Sequence, residues 1–86
     1  MQNAVTQIID SVPHGLTFDS HFVISQVFKL HWNAYVQFAG SNETISQMHG
    51  RIAQLIQASP SAQEVSKIWS ENIHGTPSEC TLWQRR

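Results

Sequence analysis

The feature that most constrains the fold lies near the C-terminus, where His74-Gly75-Thr76-Pro77-Ser78 concentrates turn-forming residues. Val65, Ile68, Trp69 and Ile73 precede it and Thr81, Leu82 and Trp83 follow it, all of them β-favouring types. A hairpin pairing Ile68 with Leu82 would set Ser70 opposite Cys80 on one face. The same upstream residues also recur at i, i+3, i+4 and i+8 behind a capping box, Ser61-Ala62-Gln63-Glu64, which suits a helix ended by Gly75. The hairpin implies an α+β fold, mainly α; the helix implies an all-α four-helix bundle. Locally the two patterns are close to even, and the order of the preceding elements favours the hairpin.

Those elements are clearer. Val5, Ile8, Ile9 and Val12 fall at i, i+3, i+4 and i+7, one apolar face of a first helix that Pro13-His14-Gly15 ends. Leu16-Thr17-Phe18 reads as a short extended stretch, and Asp19 or Ser20 as the cap of a second helix over 20–31. Phe22, Val23, Ile24, Val27, Phe28, Leu30 and His31 cover so much of that helix that burial on more than one side is expected. The stretch from Trp32 to Gly40, with Tyr35, Val36 and Phe38, suits a strand or a tight packed connection. Thr44-Ile45-Ser46-Gln47 is a second capping box, with Ile45, Met48, Ile52, Leu55 and Ile56 behind it at helical spacing. It predicts a helix over 45–58, stopped by Ser59-Pro60-Ser61. Gly50 inside that helix costs about 1 kcal/mol relative to alanine, and points to close packing or to close approach of a partner.

Eighty-six residues argue for one domain, 1–86, burying roughly 60–65% of its unfolded surface in a single core. Only 13% of residues are charged, with ten serines and nine glutamines in their place. Five Lys and Arg against six Asp and Glu give a net charge of −1, which excludes a strongly basic nucleic-acid coat protein and an acidic DNA mimic alike. No apolar stretch approaches the ~20 residues needed to span a bilayer, and the start of the chain shows no signal peptide. A cytoplasmic protein is expected, which the single cysteine, Cys80, also fits.

Helix, short strand, helix, turn, helix and hairpin is the element order of the winged helix-turn-helix domain. The chain resembles that superfamily at Gly15-Leu16-Thr17-Phe18-Asp19-Ser20, at Thr44 to Ile56 and at Trp69 to Trp83. The resemblance is architectural and spans nearly the whole chain. One departure is the link from Trp32 to Glu43, longer than the usual turn of ~3–4 residues. It implies a three-helix core with a C-terminal wing, and DNA binding through the third helix. Gln47, Arg51 and Gln54 would then meet base edges, because Arg and Gln bond bidentately in the major groove. Lys67, Arg85 and Arg86 would meet phosphates from the wing and the tail. So few cations imply binding to duplex DNA that is weak or dependent on a homodimer.

The alternative is a protein-interaction module, for docking or oligomerisation, that buries Trp69 or Trp83 within an uncharged rim of Ser and Gln. Five histidines, His14, His21, His31, His49 and His74, show no metal-ligand spacing, so no metal or other cofactor is expected. Fully protonated they would move the charge from −1 to −1 + 5 = +4, so any nucleic-acid affinity should rise towards pH 6. Cys80 beside His74 reads as an inert thiol. No carboxylate pair, phosphate-cradling glycine loop or serine elbow is present, and no enzyme is expected.

Overall fold

The computed structural model describes residues 1–86 and is α+β. Four helices, α1 (Gln2–Ser11), α2 (Ser20–Leu30), α3 (Trp32–Phe38) and α4 (Ile45–Gln57), accompany strands β1 (Thr17–Asp19), β2 (Ala62–Glu71) and β3 (Pro77–Arg85). The strands form one antiparallel sheet in the order β1-β3-β2. Residues 62–85 are therefore a hairpin, and the four-helix bundle is overturned. No helix is long and apolar enough to cross a membrane.

Local chemistry sets the boundaries. The Val12 amide bonds back to Ile9 O as α1 ends, and Gly15 takes φ +83° in the turn that follows, a conformation open to glycine without a Cβ clash. Asp19 caps α2, its carboxylate accepting from the Phe22 amide at 2.7 Å. The box at Thr44 forms in both directions: Thr44 Oγ1 accepts from the Gln47 amide and Gln47 Oε1 accepts from the Thr44 amide. The expected α4 thus stands within one residue of its predicted end.

Two expectations need correction. The Trp32–Gly40 stretch contains a helix, α3, where a strand or a connection was expected. Trp32, Tyr35 and Val36 sit at i, i+3 and i+4, and an aromatic cluster holds the short helix: Phe28 meets Trp32 and Tyr35 edge-on at 5.1 and 5.3 Å, and Trp32 stacks on Tyr35 at 5.8 Å. The hairpin register is the second. Ile68 pairs with Cys80 and Ser66 with Leu82, two residues from the expected pairing. Asn72 is the cause: its side-chain oxygen accepts from the His74 and Thr76 amides and its own amide bonds to Thr76 O. This Asx-type turn draws Asn72 and Ile73 into the loop, while Gly75 takes φ +76°. A shift of two keeps every side chain on its face, so Ser70 and Cys80 remain neighbours, with Oγ and Sγ 3.6 Å apart. A bulge at Val65 adds a further one-residue offset towards the base.

The core lies between the helices and the base of the sheet. Val5, Ile9, Val23, Val27, Ile52 and Ile56 are almost wholly excluded from solvent, and Phe18, Ala62 and Trp83 close the cluster from the sheet side. The α2 expectation holds on one side only: Val23, Ile24 and Val27 are buried, whereas Phe22, Phe28 and Leu30 are exposed.

Gly50 lies inside α4 with no atom within 4 Å of the position a Cβ would occupy. Close packing is therefore not its reason. Gly50→Ala should stabilise the protein by about 1 kcal/mol from helix propensity alone, raising Tm by roughly 4–8 °C in calorimetry.

Candidate functional site

Of the six residues expected to meet DNA, Gln47, Arg51 and Gln54 lie on α4, Lys67 on β2, and Arg85 and Arg86 at the end of β3 and just beyond it, and internal contacts occupy several of them. Arg51 makes a bidentate pair with Glu43, both N···O distances being 2.6 Å, and donates to Phe38 O at 2.5 Å. Its guanidinium also sits 4.0 Å from the centroid of the Phe38 ring. It thus fastens the end of α3 and the α3–α4 link onto α4. Those bonds from Arg51, and then the Gly40 amide, hold the Glu43 carboxyl below its ordinary value. Arg85 lies along the end of α1, donating to Ile9 O at 3.1 Å with Asp10 at 3.5 Å. Lys67 bonds Thr81 Oγ1 across the hairpin at 2.5 Å, and Glu64 stands 3.9 Å away. Gln47 serves the capping box, and Gln54 and Arg86 are exposed.

The two tryptophans of the interaction reading part company. Trp83 is only 3% exposed and donates its indole N–H to Ser20 Oγ at 2.9 Å. It is a core residue and unavailable to a partner, because its ring fills the space between β3 and the start of α2. Trp69 is 71% exposed on the hairpin.

Sequence reasoning missed a second exposed aromatic surface. On α3, Trp32 is 52% and Val36 50% exposed, one helical turn apart, and Phe28 touches Trp32 from α2. Leu30, between them in sequence, is 66% exposed. Helical spacing of Trp32, Tyr35 and Val36 was the signal that could have found it. Asn33 and Gln37 are exposed polar neighbours on the same short helix.

A cleft of about 410 Å³ separates α4 and the start of α2 from the hairpin. Three of the five histidines line it: His21 from α2, His49 from α4 and His74 from the β2–β3 loop. His21 is clamped to both strands, Nδ1 2.6 Å from Ser70 Oγ and Nε2 3.2 Å from Ser78 Oγ. His49 Nε2 is 2.8 Å from the Tyr35 hydroxyl, a group that burial pushes above its ordinary value. No group of three His, Cys, Asp or Glu side chains has an arrangement that could hold a metal ion. Cys80 is half-buried, and its sulfur neighbours Ser70.

Burial first, then the nearby His74 and His21, hold the His49 imidazole below its ordinary 6.5. As the pH falls the unfolded chain therefore takes up this proton first. The stability that His49 contributes is complete above about pH 6.5 and is lost as the pH drops through its folded value. Tm should decline between pH 7.5 and 5.5, with a shallower slope in His49→Gln; equal slopes in thermal melts would refute this assignment. Glu43 acts in the same direction, but only in the carboxylate range.

No family model, curated protein or solved structure matches this chain. The functional reading therefore rests on its own geometry.

Proposed function

We propose that this chain is a small, non-enzymatic protein-interaction module of winged-helix-like layout, docking through the aromatic face of α2 and α3. The order α1-β1-α2-α3-α4-β2-β3 and the sheet order β1-β3-β2 support the layout. The exposed Phe28–Trp32–Val36 surface carries the interaction reading. Trp is among the commonest energetic anchors of interfaces, and contiguous apolar surface beside polar neighbours marks association sites. Asn33 and Gln37 on α3 and Lys29 on α2 are exposed polar neighbours of this face, so its partner is an apolar protein surface with a pocket for an aromatic ring. The cations expected on the outside of the fold are largely engaged at home, Arg51 with Glu43 and Arg85 with Ile9 and Asp10, which lowers the electrostatic attraction for phosphates.

Capture from cells that make the protein tests this reading. Wild type and Gln57→Glu should retain the same partner, and Trp32→Glu should lose it. Unchanged retention by Trp32→Glu rejects the reading.

Binding to duplex DNA is the second reading, favoured by the element order. Exposed Gln54 and Arg86 are its least encumbered contacts. Mixed-sequence duplex should then be bound at ~20 mM salt, where counterion release favours binding most, and lost on Gln54→Ala with Arg86 removed. No binding under that condition rejects it.

A further inference from the structure

We infer that the cleft between α4 and the hairpin, walled by His21, His49 and His74 and floored by Gly50, is a binding site for a phosphate monoester. Its volume, about 410 Å³, lies within the ~300–1,000 Å³ range of small-ligand pockets. Imidazoles reach it from three separate parts of the chain. Ser46 and Asn72 bring further hydrogen-bonding side chains to its wall. Both ring nitrogens of His21 already face Ser70 and Ser78 and one of His49 faces Tyr35. The other His49 nitrogen and the His74 ring, with Ser46 and Asn72, are therefore the donors left for a tetrahedral oxyanion, whose hydrogen bonds are charge-assisted and strong. The same set lacks the geometry for a metal ion.

Gly50 supplies a second observation. It weakens α4 relative to alanine, yet nothing within 4 Å of its Cβ position requires a glycine. It lines the cleft, so the space it leaves open faces a ligand and not the protein's own core. Removing a Cβ there allows a ligand to approach the helix backbone closely.

The charged and titratable groups facing the ligand are the three histidines, Glu79 and Cys80 from β3, with Tyr35 behind His49. Mutual repulsion contributes to the low proton affinity of His49. A bound anion counters that repulsion and favours the protonated His49 ring, so by linkage affinity should rise as the pH falls into the range where His49 takes up its proton. Glu79 opposes the anion, and Glu79→Gln should tighten binding.

The test is a titration of the full chain with phenyl phosphate at pH 6.0, following the imidazole NMR signals. His14 and His31, outside the cleft, serve as internal references. Saturable shifts confined to His21, His49 and His74 are expected. His74→Gln should weaken binding about tenfold, the effect of losing one charge-assisted bond. Gly50→Gln, which fills the floor from an exposed helix position and improves helix propensity, should abolish it while preserving the fold. Equal, non-saturating shifts at all five histidines would overturn the inference, as would undiminished binding by Gly50→Gln. Saturable shifts of the three cleft histidines with a short DNA duplex but not with phenyl phosphate would also overturn it, placing a backbone phosphate there instead.

Discussion

Trp83→Ala is expected to destabilise the protein by about 3–5 kcal/mol, the range for deleting a buried aromatic ring. At roughly 0.05–0.15 kcal/mol per residue, a domain of this length has about 4–13 kcal/mol in total. The substitution removes a large fraction of that. Trp83 pairs with Phe18 on β1 and with Glu64 on β2, so its loss loosens the sheet as well as the core. Urea unfolding should show a much lower midpoint with the slope little changed. Trp83→Phe keeps most of the ring but leaves the buried Ser20 hydroxyl without its indole donor, at about 1–3 kcal/mol. A midpoint for Trp83→Ala within error of wild type would contradict the core described here.

Trp32→Glu carries the other large effect, on binding and not on folding. The indole is half exposed and rests on Phe28 and Tyr35, so the folded chain tolerates its replacement with a modest loss of aromatic packing. In a complex the same position would bury an unpaired carboxylate. Interface anchors are worth about 2 kcal/mol or more, so affinity should drop at least about thirty-fold. A Trp69→Glu variant separates the two exposed tryptophans. If the hairpin were the docking surface, Trp69→Glu would show the loss and Trp32→Glu would retain the partner.

How far the chain's residues reveal its structure varies along it. Thr44 and Gln47 are three residues apart, and their reciprocal bonds form as spacing alone predicts, because a capping box is a local device. The first three core positions of α1 and the Asp19 cap are local in the same sense. The hairpin followed from the order of elements and not from its own residues, whose pattern suited a helix almost equally, and Asn72 displaced its register by taking two residues into the turn with its own side chain. Tyr35 and Trp32 favour strands by type, and tertiary stacking against Phe28 makes them helical. The Arg51–Glu43 pair spans eight residues across a helix start, and Arg85 reaches back to Ile9 across nearly the whole chain. No local pattern encodes either contact, so residues that read as free cations are internal fasteners. Likewise the histidine cleft gathers side chains from α2, α4 and the hairpin loop, whose proximity exists only once the sheet is formed.

Photo-crosslinking tests the interaction account most directly. Benzoylphenylalanine is placed at position 32 and, separately, at position 57, an exposed position on α4, in cells that make the protein. The account predicts one discrete adduct from position 32, at twice the chain's mass for a second copy or at another fixed mass for a different partner, and none from position 57. No adduct from position 32, or the same adducts from both positions, would contradict docking through the α2–α3 aromatic face.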